Sequence, residues 1–97
     1  MQLLMKKLEP AGTVLDQSYA VSVILYLYEN GTVAATDLLD VVKNYTRMKA
    51  LADSLVELGL VEMNAIKTRN VEFQYTLTAK GRKVAERLIE AVDLISS

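Results

Sequence analysis

The residues best suited to chemistry are basic, amide and hydroxyl side chains in the middle of the chain. Residues 43–87 carry nine Lys/Arg and five Asp/Glu, a net charge of +4, while residues 1–42 carry a net charge of −3 and residues 88–97 of −2. Such groups bind phosphate oxygens and base edges through charge and hydrogen bonds. The densest set is Asn44, Tyr45, Thr46, Arg47 and Lys49.

Each member of this set has a chemistry on nucleic acid. Arg47 can make a bidentate contact with guanine. Asn44 and Thr46 can meet phosphates or base edges, Tyr45 can stack or donate its hydroxyl, and Lys49 can neutralise a phosphate. The alternative is that these residues form an ordinary solvated helix face.

Two further basic groups follow. A short polar turn, Lys67-Thr68-Arg69-Asn70, can contact a phosphate backbone, although charged turns also serve solubility alone. The third group is Lys80, Arg82 and Lys83. Cations are unfavourable at the start of a helix, so a nearby phosphate or ion pairs from Arg82 and Lys83 to Glu86 would have to compensate, and we expect the ion pairs.

Composition restricts the other functions. The 97 residues include no cysteine and no histidine, so we predict no catalytic residue, no cofactor and no metal site. The longest apolar stretch, 20–28, contains Ser22 and is too short to span a bilayer, so we expect a cytoplasmic protein with no membrane partner. The overall net charge of −1 argues mildly against nucleic acid, but the central basic block argues for it.

The hydrophobic pattern predicts five helical or extended regions and a hairpin. Ser18 and Thr36 are expected to cap helices 18–30 and 37–42, with a short extended piece at 32–34. Asn44 is expected to cap a helix at 45–58, whose apolar stripe is Met48, Leu51, Ala52, Leu55 and Leu58. Strands at 60–67 and 71–77 form a β-hairpin, and Thr78 caps a last helix that ends near residue 95.

This order predicts a mainly α fold with a small β-hairpin, that is, a winged helix-turn-helix with a three-helix core, a wing and a C-terminal dimerisation helix. The expected divisions are an N-terminal segment at 1–12, the winged helix-turn-helix domain at 13–77 and the last helix at 78–97. In such domains the second helix of the pair enters the DNA major groove.

Two motifs carry a family resemblance. "LADSLVELGLVE" (51–62) resembles the end of the recognition helix in winged-helix transcriptional regulators, and "YTLTAKGRKV" (75–84) resembles their junction between wing and last helix. The stretch "KNYTRMKALADSLVELGLVE" is most similar to small archaeal winged-helix proteins regarded as predicted regulators, with MarR and PadR regulators next. The resemblance spans about residues 18–92. It implies a DNA-binding regulator that dimerises through its C-terminal helix.

The chain departs from the MarR pattern at two places. The usual Asp-x-Arg wing tip is replaced by Thr68-Arg69-Asn70, and Ala50 stands where many MarR recognition helices carry a basic residue. The base contacts of MarR proteins are therefore not carried over to this chain.

Excess apolar surface predicts a homodimer. The first helix is apolar almost all round, and the last helix has more apolar positions than one small core can cover. The alternative is that the N-terminal segment folds back over this surface. The predicted interface residues are Leu4, Leu8, Leu88, Ala91, Val92 and Ile95.

The sequence therefore predicts a homodimeric, sequence-specific regulator of double-stranded DNA, with helix 45–58 in the major groove and wing 61–77 on the backbone or minor groove. The alternative is a winged-helix module for protein–protein contacts in a larger assembly, which the sequence pI of about 5.4 favours. Tyr19, Tyr26 and Tyr28 could line an effector pocket between subunits, but aromatic residues at such positions are usually core, and the effector is unknown.

Overall fold

The structure is a computed structural model that describes residues 12–67, 69 and 71–97. The predicted N-terminal segment, including Leu4 and Leu8, and the turn residues Thr68 and Asn70 lie outside the described residues. The elements in chain order are a 3-10 helix (Gly12–Asp16), α1 (Ala20–Asn30), β1 (Val33–Ala34), α2 (Ala35–Leu38), α3 (Tyr45–Glu57), β2 (Val61–Lys67), β3 (Val71–Leu77) and α4 (Ala79–Ser96). This confirms the predicted winged helix-turn-helix fold.

Two helix starts differ from the prediction. α1 begins at Ala20 and not at Ser18, because Tyr19 precedes it in the left-handed conformation (φ 70°), and the Tyr19 side chain caps no backbone group. α2 is also shorter and earlier than 37–42. It begins after Ala34, whose N–H donates to the carboxylate of Asp37 at 3.1 Å, so Asp37 and not Thr36 satisfies the start of this helix.

The start of α3 is as predicted. The side-chain oxygen of Asn44 accepts a hydrogen bond from the Arg47 N–H at 2.9 Å, which satisfies one of the free donors of the first turn. The helix ends at Glu57, and Gly59 follows with φ 77°, a left-handed conformation that glycine adopts without strain.

The sheet is antiparallel and has the strand order β1-β3-β2. The hairpin register pairs Val61 with Leu77 at its base and Lys67 with Val71 at its tip. β1 pairs with β3 only at Tyr75 and Gln74, so the outer half of the hairpin has two strands. The hairpin therefore projects from the domain as a wing.

The core lies where α1, α2, α3, the base of the hairpin and the first half of α4 meet. The largest fully buried side chains are Val23, Ile24, Leu27, Leu38, Met48, Leu55 and Tyr75. The predicted stripe of α3 is buried at Met48, Leu51, Ala52 and Leu55, and half-buried at Leu58. Burying this stripe turns the opposite face of α3 to solvent.

The "YTLTAKG" motif is explained by a close junction between the hairpin and α4. The Thr78 hydroxyl accepts from the Gly81 N–H at 3.0 Å and donates to the Gly59 carbonyl oxygen at 2.6 Å. The Thr78 N–H also donates to the Leu60 carbonyl oxygen at 3.0 Å. Thr78 thus caps α4, as predicted, and ties the end of the wing to its beginning.

Among the described residues, no helix is both long and apolar enough to cross a membrane.

Candidate nucleic-acid interface

The first turns of α3 present the predicted recognition face to solvent. Tyr45 is 52% exposed, and Asn44, Thr46 and Arg47 are exposed as well. Because the apolar stripe packs on the core, the first turn of α3 is exposed, with Tyr45 beside the wing and Arg47 on the opposite side of the helix. Asn44 has a structural role besides any nucleic-acid contact, since it caps the helix.

The wing places its basic residues beside α3. Lys67 and Arg69 are exposed. A groove of about 400 Å³ separates the wing from the start of α3, with Tyr45 on one wall and Arg69, Val71 and Phe73 on the other. The structure thus brings Arg69 of the wing close to Tyr45 at the start of α3, 24 residues earlier in the sequence.

A second groove of about 400 Å³ lies on the other side of α3. Arg47, Ala50 and Leu51 form one wall, and the turn at 16–18, before α1, forms the other. Sequence reasoning did not include this turn in the interface, because its position depends on how the 3-10 helix packs on α3. A hydrogen bond joins this turn to α3, because the Gln17 side chain donates to the Ser54 hydroxyl at 3.4 Å.

Lys49 is engaged within the protein. Its ammonium group lies 2.7 Å from the Asp53 carboxylate and 5.3 Å from the centre of the Phe73 ring. The hydrogen bond that Lys49 donates to the Asp53 carboxylate raises the pKa of Lys49, so the ammonium stays charged. The i, i+4 spacing of Lys49 and Asp53 was a sequence signal for this pair, whereas the contact with Phe73 depends on the tertiary fold.

Tyr75 lies fully buried behind this group. Burial raises the pKa of its phenol, and the positive charge of Lys49 opposes that rise. No hydrogen bond of normal length and angle joins the Tyr75 hydroxyl to a described residue. The base of the wing therefore contains a buried polar atom next to the Lys49–Asp53 pair.

The predicted ion pairs to Glu86 are wrong. Lys80 donates to the Leu58 carbonyl oxygen at 3.2 Å, where its charge suits the C-terminal end of α3. Arg82 lies 5.4 Å from the centre of the Tyr28 ring, and the Tyr28 hydroxyl donates to Glu86 at 3.3 Å. Lys80 and Arg82 thus contact α3 and α1 from α4, in place of the expected ion pairs within α4.

Acidic residues limit the electropositive area. Asp53 and Glu57 are exposed on the last turns of α3, and Glu72 lines the groove beside Arg69. Beside these acids, Arg47 in the first turn of α3 and Lys67 and Arg69 at the wing tip offer exposed positive charge to a phosphate backbone. Over the described ranges, no group of three or more acidic side chains has the geometry of a metal site.

The face of α4 that packs on the core continues past it. Ala85 is buried and Leu88 is half-buried, whereas Val92 and Ile95, which follow at helical spacing, are 42% and 84% exposed. Ala91 is exposed too, and so is Leu94, which the sequence prediction of the interface did not include. Of the three tyrosines considered for an effector pocket, Tyr26 and Tyr28 pack against the core and Tyr19 is exposed.

No protein-family model matches the sequence, and no curated protein matches it at a significant level. Solved structures do match the fold. The transcriptional regulator homologue from Pyrococcus horikoshii OT3 superposes with a TM-score of 0.74 at 14% identity, over 98% of this chain and 94% of that one. The reduced form of the transcriptional regulator YodB from B. subtilis gives a TM-score of 0.71 at 19% identity, over 90% and 86%.

NadR, solved in complex with 4-hydroxyphenylacetate, gives a TM-score of 0.71 at 26% identity, over 98% of this chain and 69% of NadR. These likenesses confirm the resemblance predicted from the two sequence motifs at the level of the fold. The chain has the winged helix-turn-helix fold found in these transcriptional regulators.

Proposed function

We propose that this protein is a homodimeric transcriptional regulator that binds double-stranded DNA in a sequence-specific manner. The N-terminal half of α3 enters the major groove, and the wing contacts the backbone or the minor groove beside it. The observation that carries the proposal is the groove between Tyr45 of α3 and Arg69 of the wing. In this groove the exposed start of α3 lies beside Arg69 at the basic tip of the hairpin.

Within this interface Arg47 reads sequence and the wing supplies charge. Arg47 is exposed in the first turn of α3, where a guanidinium reaches base edges, and a bidentate contact with guanine discriminates by about 1–3 kcal/mol. Lys67 and Arg69 neutralise phosphates. Thr68 and Asn70 are proposed to contact the backbone with them, and Asn44 and Thr46 to meet phosphates or base edges.

The homodimer is proposed from the exposed end of α4. Leu88, Ala91, Val92 and Ile95 would pack against the same residues of a second copy, with Leu4 and Leu8 completing the interface. A two-fold axis between two such domains presents two α3 helices to successive half-sites.

Fluorescence anisotropy with fragments of the source genome tests the proposal. We expect binding that weakens steeply with salt. Four phosphate contacts per dimer, from Lys67 and Arg69 of each subunit, give a slope of log K against log salt of about −3.6. Arg47→Ala should reduce specific binding more than Lys67→Ala, which should weaken all sequences alike. A complete lack of binding at low salt would reject a DNA-binding role.

A protein–protein module is the second candidate, favoured by the acidic residues beside the interface, Asp53, Glu57 and Glu72. Its test is affinity purification from cells treated with nuclease. A stoichiometric protein partner that is retained after DNA digestion would favour this candidate.

A further inference from the structure

Lys49 connects α3 to the wing. The ammonium group is held by Asp53 one helical turn further along α3, and in that position it lies over the ring of Phe73 in β3. A cation within about 6 Å of an aromatic centroid is attracted to the ring face. The lysine side chain is 31% exposed, so the contact is partly shielded from water and salt.

Phe73 lies at the position where the wing loses its third strand. β1 pairs with Tyr75 and Gln74, and from Phe73 to the tip β3 has hydrogen bonds to β2 alone. Two-stranded ribbons are marginally stable and twist freely. A side-chain contact from α3 at Phe73 therefore restrains the outer half of the hairpin where the backbone pairing does not.

The contact also gives Lys49 a poor geometry for DNA. A phosphate that recruited this ammonium would have to compete with the Asp53 carboxylate at 2.7 Å and would meet that negative charge. Arg69 on the wing has no such neighbour at ion-pair distance among the described residues. The two cations thus differ: the Lys49 ammonium is already paired with a carboxylate, whereas Arg69 is exposed on the groove beside α3.

We propose that Lys49 is a positioning residue that fixes the angle between the wing and α3 through Asp53 and Phe73, and that it is not a phosphate ligand. This replaces the phosphate contact that the sequence suggested for Lys49. The DNA arm of the test rests on the proposed function, but the restraint on the wing exists in the free protein and can be measured without DNA.

The first measurement is amide hydrogen exchange of the free protein. In Lys49→Gln we expect the amides of residues 71–73 to exchange roughly five-fold faster, with those of α1 unchanged. Phe73→Leu should have the same effect, because it removes the ring. Lys49→Arg should restore wild-type exchange, because a guanidinium also pairs with carboxylate and stacks on an aromatic ring.

The second measurement is the salt dependence of DNA binding, with Arg69→Gln as the matched control. Both substitutions remove one positive charge per subunit. Lys49→Gln should weaken binding at every salt concentration with the slope unchanged, while Arg69→Gln should reduce the slope by about 0.9 per bound subunit and leave exchange unchanged.

Unchanged exchange in both Lys49→Gln and Phe73→Leu would overturn the proposal, and so would a slope reduced by about 0.9 per subunit in Lys49→Gln. If wild-type protein binds no DNA, the regulator proposal fails, and the exchange data alone then decide whether Lys49 restrains the wing.

Discussion

Gly81 of α4 lies so close to the backbone of Leu60 that a β-carbon at position 81 would overlap the Leu60 carbonyl oxygen. The same oxygen accepts a hydrogen bond from the Thr78 N–H at 3.0 Å, so it cannot move aside without breaking that bond. The glycine of the "YTLTAKG" motif is therefore required by close packing between α4 and Leu60, the third residue after α3.

We predict that Gly81→Ala lowers the free energy of unfolding by about 2 kcal/mol or more, although alanine is the better helix former. Chemical denaturation followed by circular dichroism measures this. Gly59 is the matched control, because it has φ 77° and open space around its Cα. Gly59→Asn should be tolerated, since asparagine adopts the left-handed conformation, while Gly81→Asn should be at least as damaging as Gly81→Ala. Equal stability of Gly81→Ala and wild type would contradict the close packing.

The second prediction concerns the Asn44 cap, where one substitution should change DNA binding without changing stability. Asn44→Ala should cost about 1 kcal/mol because the Arg47 N–H loses its acceptor. Asn44→Asp should keep stability near wild type, since the carboxylate accepts the same bond and suits the helix dipole. It should weaken DNA binding by placing a negative charge at the groove. Denaturation and anisotropy on both variants test this, and strong DNA binding by Asn44→Asp would remove Asn44 from the interface.

Tyr19 precedes α1 with φ 70°, a conformation that costs a residue with a β-carbon about 1–2 kcal/mol. Its side chain is 52% exposed, so little packing is lost when it is replaced. We expect Tyr19→Gly to raise the free energy of unfolding by about 1 kcal/mol. Ser18→Gly, at the neighbouring exposed position, should bring no gain and serves as the control. A lower stability of Tyr19→Gly would mean that the exposed ring contributes contacts that outweigh the backbone strain.

These positions show how far the sequence could predict the structure. Asn44 and Thr78 were predicted as caps because a cap bonds to a backbone group three residues away. The left-handed Tyr19 has no such local signal. It lies in a turn in which the Ala20 N–H donates to the Gln17 carbonyl oxygen at 3.1 Å.

In the candidate site, too, local features were predictable from the sequence and tertiary contacts were not. The exposed face of α3 was predictable, because its apolar stripe determines which residues face solvent. The contacts of Lys49 with Phe73 and of Lys80 with the Leu58 carbonyl were not, because they join elements more than 20 residues apart. Long cationic side chains can reach carbonyl oxygens and aromatic rings of other elements, as well as the nearest acidic residue in the sequence.

Alkaline pH should destabilise the protein through Lys49 and Tyr75. The pKa of Lys49 is raised above its ordinary 10.5 by the bond to Asp53, and burial raises the pKa of Tyr75 above 10.0. In both cases the folded state holds its proton more tightly than the unfolded chain. The stabilisation is therefore complete below the unfolded pKa values and is lost as pH rises through the folded ones.

Denaturation midpoints measured from pH 8 upward test this. We expect them to fall once the pH exceeds about 10. Tyr75→Phe should flatten the decline, and because it removes a buried hydroxyl without a described partner it should not lower stability at neutral pH. If the denaturation midpoints of Tyr75→Phe and of Lys49→Gln fell with pH as steeply as those of the wild type, groups other than Lys49 and Tyr75 would cause the decline.

The exposed end of α4 gives the last prediction. Because Ala85, Leu88, Val92 and Ile95 follow one another at helical spacing, the face that covers the core continues without cover beyond it. The double substitution Val92→Glu with Ile95→Glu should convert a dimer into a monomer in light scattering after size exclusion. Circular dichroism should be unchanged, since both side chains are exposed.

Lys83→Glu is the control for this experiment. It changes the charge by the same −2 on an exposed residue outside that face, and we expect it to leave the dimer intact. DNA affinity should fall in the double variant by more than the added charge explains, because a monomer binds one half-site and loses the gain in effective concentration from the second. Wild-type protein that is monomeric at all concentrations tested would leave this surface without the proposed role, and a double variant that stays dimeric would place the interface elsewhere.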